Sequence, residues 1–191
     1  DLQGMLDLTG QLLFNQELPL SLAYSKSSYA MGTGADDWER LQTAIGQGNT
    51  QMTPMHNAMI TAAIANGGVL MKPYLIDRVE NAAGEEIKKF LPSAWGELLP
   101  AAEARTLSGL MRKVVETGTG SALRTDAYQA AGKTGSAEFE TGKESHAWFT
   151  GFAPADDPQL VVTVIVEEAG SGGQVAAPIA RTLFDLYLAG G

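Results

Sequence analysis

Residues 131–137, Ala-Gly-Lys-Thr-Gly-Ser-Ala, hold the densest concentration of chemistry in the sequence. Lys133 brings a cation, Thr134 and Ser136 bring hydroxyls, and Gly135 lets another backbone come close. The run predicts a strand, and strand side chains alternate between faces, so Thr134 and Ser136 share one face and can both donate to one carboxylate. The free backbone groups of such a strand can pair with an extended peptide as an added strand. Together these features suit a peptide that ends in a carboxylate.

Other chemistries fit the residues less well. Gly132-Lys133-Thr134 looks like the end of a phosphate-binding loop, but the glycine needed five positions earlier is Ala127, and Gly135 to Phe139 continues as a strand where that loop must open a helix. His56 and His146 stand ninety positions apart, outside any HExxH or HxH pattern, and His56 reads as a packing or surface residue. The absence of cysteine removes disulfides, thiolate catalysis and Cys-based zinc sites. Net charge is −9, and the 13 Lys and Arg are scattered, which excludes nucleic acid as the partner. The longest apolar stretch, Leu160 to Val166, is far shorter than the ~20 residues that span a bilayer.

The elements that must position the strand follow from periodicity. Leu2, Met5, Leu6, Leu12 and Leu13 predict an amphipathic helix over residues 1–14, followed by a Pro-, Ser- and Gly-rich loop from Pro19 to Gly34. Thr53-Pro54 is a helix start, with Thr as cap and Pro in the first position, and Asn66-Gly67-Gly68 is the stop. Met52, Met55 and Met59 are expected in the core. Tyr74–Val79 and Glu85–Phe90 predict a hairpin around Asn81–Gly84. Ala104, Leu107, Leu110, Met111, Val114 and Val115 mark a helix over 100–116 that ends at Gly118 and Gly120. Strands are predicted at 130–139, 147–152 and 160–167, and a final helix at 175–188, with Pro178 tolerated in its first turn. Short loops between successive strands favour antiparallel pairing, so the fold class is α+β, an antiparallel sheet flanked by helices.

The strand has ordered company. Upstream stand Ile45-Gly-Gln-Gly48, Thr53-Pro54, Ile64-Ala-Asn-Gly-Gly68, Lys72-Pro73 and Thr117-Gly-Thr-Gly-Ser-Ala122; downstream stands His146-Ala-Trp-Phe-Thr-Gly-Phe-Ala-Pro154. This set resembles the transpeptidase domain of class B penicillin-binding proteins, from about Ile45 to Leu188, with weaker likeness back to Asp1. The resemblance implies the fold shared by these transpeptidases and serine β-lactamases. It implies that Lys133, Thr134, Gly135 and Ser136 are the substrate-binding motif, which takes the terminal carboxylate of a D-Ala-D-Ala stem peptide or of a β-lactam. Lys133 and the backbone N–H of Ser136, an oxyanion donor, are the catalytic groups so implied. The implied reaction is acyl transfer through a serine ester, without metal or organic cofactor, on the extracytoplasmic face of a bacterial envelope.

The same family uses a nucleophile in S-x-x-K and a second motif, S-x-N. No lysine here has a serine three positions before it: those positions hold Ala23, Val69, Glu85, Glu86, Leu110, Ala130 and Glu140. No asparagine has a serine two positions before it either. Residues 1–191 are therefore expected to be the C-terminal portion of one transpeptidase domain, an incomplete and by itself inactive fold. The strand at Leu160–Glu167 should then lack its neighbour and seek the N-terminal piece of the same protein, or a second copy, by strand pairing. Two alternatives share the lysine strand: a serine β-lactamase or D,D-carboxypeptidase, and a catalytically dead muropeptide or β-lactam sensor. Of the remaining positions, Trp148, Phe149 and Phe152 are expected in the core or against the sheet, the Gln47 loop as a scaffold near the site, and Glu138 and Glu140 in solvent.

Overall fold

The protein is described by a computed structural model covering residues 2–32 and 34–189; Asp1, Thr33, Gly190 and Gly191 lie outside it, as do the parts of the helix, loop and 1–191 domain expectations that fall on them. Its centre is a three-stranded antiparallel sheet, β5 (Ala131–Ala137), β6 (His146–Ala153) and β7 (Leu160–Val166), in the order β5-β6-β7. The register is regular, with Lys133 opposite Thr150, Gly135 opposite Trp148 and Phe149 opposite Val164.

The alternation of side chains gives this sheet two different cores. One face carries Ala147, Phe149, Ala153 and Val162, packed with Ala176, Ala177, Ala180 and Phe184 of the last helix, α5 (Ala176–Ala189). The other face carries Ala131 and Phe152, packed with Met111 of α4 (Ala101–Thr117) and beside Ile64 and Ala65 of α3 (Pro54–Ala65). Both faces are thus covered, and the expected α+β architecture is observed.

Helix α3 starts as its sequence requires: the Thr53 hydroxyl accepts a hydrogen bond from the His56 N–H, and Pro54 occupies the first turn. It stops at Asn66, after which Gly67 and Gly68 take φ of +66° and +98°. A Cβ on Gly68 would lie 2.0 Å from the Leu99 carbonyl oxygen, so only glycine fits that crossing. Met59 and Ala63 of α3 join Leu13, Leu70, Leu98 and Leu99 in a separate core beneath β1 (Val69–Met71) and β4 (Ala94–Glu97), an antiparallel pair that no sequence signal announces. The predicted hairpin is present as β2 (Arg78–Glu80) and β3 (Glu86–Lys89), shorter than expected and exposed throughout.

Several expectations need correction. The first helix, α1, spans only Leu2–Gln11, because Leu13 and Asn15 take φ of +69° and +61° and reverse the chain. The helix α2 (Asp37–Ala44) was not expected; the Asp36 carboxylate caps it by accepting from the Glu39 N–H. Met55 is 46% exposed rather than in the core, while Met59 is buried and Met52 half-buried. The stripe on α4 is narrower than its periodicity suggests, with Leu107 and Leu110 facing solvent and Ala104, Met111 and Val115 inside.

Candidate active site

Among the described residues β5 is an edge strand, bonded to β6 on one side, so alternate backbone groups along it face away from the sheet. Its side chains divide as period two requires. Lys133 lies on the face shared with Thr150, its cross-strand partner, and its side chain is exposed, with Nζ donating to the Thr134 carbonyl oxygen. Thr134 and Ser136 lie on the opposite face, the one that α5 covers further along.

The two hydroxyls that share a face are held differently. Thr134 is only 6% exposed, and its Oγ1 lies 2.5 Å from Oγ1 of Thr119, in the loop that leaves α4. Ser136 is exposed, and its Oγ accepts from the Gly172 N–H at 3.3 Å. The Ser171-Gly172-Gly173 turn lies close against β5 and β6: a Cβ on Gly172 would be 2.2 Å from the Trp148 oxygen and 2.3 Å from the Gly135 oxygen. Gly135 is tight as well, with a Cβ there reaching 3.3 Å from Cβ of Trp148. Thr119 and the Gly172 turn are contributors that sequence reasoning did not single out. The Thr117–Ala122 run carries the first; nothing in the sequence marks the second apart from its glycines.

Beneath Lys133 the same face carries a chain of hydroxyls. Thr61 of α3 meets Thr150 at 2.7 Å, and Thr150 meets Thr163 at 2.7 Å, tying helix, β6 and β7 together. Beyond the end of β5, Gln42, Gln47 and Gly48 face the β5–β6 turn, Glu138–Ser145, across an open cavity of about 650 Å³. Gly46 and Gly48 take φ of +81° and +73°, which makes the Gln47 loop the tight turn expected of it. In that cavity wall Lys143 bridges Glu140 at 3.0 Å and Glu168 at 3.6 Å, so Glu140 is an ion-pair partner at the surface.

The aromatic residues are placed as packing groups. Phe149 and Phe152 are fully buried on opposite faces of the sheet, and Trp148 is half-buried. His146 stacks on Phe139 at 4.1 Å and accepts from the Glu168 N–H. His56 is 1% exposed; its Nε2 donates to the Leu12 carbonyl oxygen at 2.7 Å, its Nδ1 has no partner among the described residues, and burial holds its pKa below the ordinary value. Among the described residues no group of His, Cys, Asp or Glu is arranged to hold a metal ion.

Residues 6–185 match the family described as the penicillin binding protein transpeptidase domain. The chain is 37% identical over 147 residues to the peptidoglycan D,D-transpeptidase PbpA of Mycolicibacterium smegmatis, covering 73% of this chain and 30% of that protein. It is 37% identical over 169 residues to the peptidoglycan D,D-transpeptidase MrdA of Haemophilus influenzae, covering 78% of this chain and 26% of that protein. Among solved structures, the D,D-transpeptidase domain of a peptidoglycan glycosyltransferase from Eggerthella lenta superposes with a TM-score of 0.85 at 30% identity, over 97% of this chain and 48% of that one. The penicillin G acyl-enzyme complex of penicillin-binding protein A from M. tuberculosis does so with a TM-score of 0.83 at 30% identity, over 95% and 42%. The chain thus spans less than a third of the length of these curated relatives and less than half of these solved chains.

Proposed function

This chain belongs to the penicillin-binding protein transpeptidase domain family, and from that premise we propose that it supplies the substrate-binding strand of a peptidoglycan D,D-transpeptidase whose nucleophilic serine lies outside residues 1–191. The observation that carries the reading is β5, an edge strand with Lys133 exposed on one face and the Thr134 and Ser136 hydroxyls on the other. An extended D-Ala-D-Ala peptide would add to that edge as a further strand, with its carboxylate received by the hydroxyls of the Lys133–Ser136 motif and drawn by the Lys133 charge.

Residues 134 and 136 have the same parity, so their backbone groups point the same way. The Thr134 carbonyl is met by a side chain, Nζ of Lys133, which supports an outward direction for that set. The Ser136 N–H would then face the reacting carbonyl as an oxyanion donor, stabilising the charge that develops as the serine attacks. The attack forms the acyl ester and expels terminal D-Ala; an amine from a second stem peptide then takes the acyl group and frees the serine. A β-lactam would halt at the ester, the species that the M. tuberculosis relative forms with penicillin G in its acyl-enzyme complex. The site so formed would work on the outer face of the bacterial membrane.

β7 supports a second part of the proposal. Leu160–Val166 is bonded to β6 on one side, and no described strand pairs with its other edge. We assign that edge to a strand of the same protein outside residues 1–191, or to a second copy of this chain. The names of the relatives favour a transpeptidase over a β-lactamase, a carboxypeptidase or a catalytically dead sensor.

The test is acylation of the longer protein by a fluorescent penicillin. Lys133→Met should lower the acylation rate by about two to three orders of magnitude, in line with loss of a preorganised charged group. A Lys133→Met variant that labels at the normal rate would overturn the assignment of β5.

A further inference from the structure

We propose that β3 (Glu86–Lys89), one strand of the exposed hairpin, pairs edge to edge with β3 of a second copy of this protein, antiparallel and centred on Ile87. The inference is independent of the reading of β5 and concerns a different edge from that of β7.

Every residue of β2 and β3 is exposed, and a two-stranded hairpin without further packing is marginally stable in water. Apolar side chains are nevertheless gathered here: Ile87 is 66% exposed, and Leu75 and Leu91, flanking the strands, are 78% and 71% exposed. Among the described residues each strand pairs only with the other, so each has a free outer edge, which is a template for pairing. The register inside the hairpin sets like charge against like, with Arg78 opposite Lys89 and Glu80 opposite Glu86. Such pairs are destabilising. On β2 the charges are answered locally, since Arg78 reaches Glu80 at 2.5 Å and Asp77 at 3.6 Å. On β3 they are not. Among the described residues Glu86, Lys88 and Lys89 form no ion pair, and Lys88 lies over the Phe90 ring.

The order of charges says what the free edge of β3 fits. Glu85-Glu86-Ile87-Lys88-Lys89 inverts its sign about Ile87. A twofold axis through an antiparallel pair makes residue i of one copy meet j of the other, and j meet i. With Ile87 opposite Ile87 of the second copy, Glu86 meets Lys88 and Glu85 meets Lys89, each twice, giving four opposite-charge pairs around an apolar centre. A slip of one residue either way leaves two such pairs and sets Ile87 against a charge, so the register is specified. The whole segment from Met71 to Trp95 is neutral, four basic residues (Lys72, Arg78, Lys88, Lys89) balancing four acidic ones (Asp77, Glu80, Glu85, Glu86), in a chain of net charge −9. Two copies can therefore approach through this face without the repulsion that the rest of the surface carries.

The experiment uses the longer protein in a background free of other cysteines. Residues 1–191 contain none. Under mild copper-phenanthroline oxidation, Ile87→Cys should form a disulfide-linked dimer at least about tenfold faster than Ala83→Cys at the hairpin tip, because only the former meets its own copy within the Cα span that a disulfide bridges. In sedimentation velocity over a concentration series, Glu85→Lys/Glu86→Lys and Lys88→Glu/Lys89→Glu should each weaken self-association by about tenfold or more, since four attractive pairs become repulsive. An equimolar mixture of the two should associate again, and so should the protein carrying all four substitutions. Circular dichroism checks that each variant is folded, and should a charge variant fail to fold, the comparison of the two cysteine variants decides. Cross-linking of Ile87→Cys no faster than of Ala83→Cys overturns the proposal. Undiminished association of either charge-reversed protein, or a mixture that stays monomeric, overturns it as well.

Discussion

His56 shows how one buried side chain makes stability depend on pH. Its Nε2 is committed to the Leu12 carbonyl, its Nδ1 is buried without a partner among the described residues, and Phe14 packs against the ring at 5.0 Å. Burial therefore favours the neutral form and lowers the folded-state pKa below the ordinary 6.5. In the window between the lowered value and about 6.5, the unfolded chain binds more protons than the folded one, so stability rises with pH. The contribution is complete above that window and is lost as pH falls through it. Melting temperature should drop between pH 7.5 and pH 5.5, and the drop should shrink in His56→Gln, where the amide can still donate to Leu12. A drop of unchanged size in the variant would mean that other groups carry the effect. Gly172→Ala is a second residue-scale prediction. Its methyl would lie 2.2 and 2.3 Å from two carbonyl oxygens of the sheet, and the clash should cost about 2 kcal/mol or more in chemical denaturation. The strand geometry of the candidate site was legible at this scale wherever chemistry and period two met: Lys133, Thr134 and Ser136 lie on the faces their positions dictate. Thr119 and Gly172 were not, because their roles come from a loop and a turn brought to β5 by folding, and no periodicity records that.

At the scale of elements, α3 joins the sheet to the rest of the molecule through a chain of hydroxyls. Thr150 is its middle link, bonded to Thr61 of the helix and Thr163 of β7. Thr150→Val keeps the shape but leaves both outer hydroxyls short of a partner. The expected loss is about 1–3 kcal/mol in denaturant unfolding, larger than for Thr163→Val, which removes one end only. Equal effects would mean that the hydroxyls act independently. Elements with strong local signals were read from sequence to within a few residues: α3 between its Thr53 cap and its glycines, α4 before Gly118, and the β5–β6–β7 run. Those whose signals are tertiary were not. β1 and β4 are separated by the whole β2–β3 hairpin and pair beneath α3, and α2 is a short helix whose exposed Trp38 and Leu41, with the exposed Ile45 just after it, give no buried stripe to read. The shortened α1 has a similar origin, since Leu12 and Leu13 continue the apolar pattern after the backbone has already turned.

For the whole molecule, β7 is the exposed flank. Leu160–Val166 is bonded on one side, and the outer face of α5 beside it carries Ile179, Leu183, Leu186 and Tyr187 in solvent. A hydrophobic strand edge of this kind is a template for pairing. The isolated chain should bind an apolar-surface dye or self-associate in sedimentation despite its charge of −9. A stable monomer that takes up no dye would remove the assignment of that edge.

The role proposed for this chain is a substrate-binding strand for an acylation whose serine lies elsewhere. Intact-mass measurement after incubation with penicillin G tests it most directly, on the 20.1 kDa chain alone and on the longer protein followed by peptide mapping. The expected result is an unmodified chain and, in the longer protein, a penicilloyl ester on a serine of an S-x-x-K sequence outside residues 1–191. An adduct on any serine within the chain, Ser136 included, would contradict it.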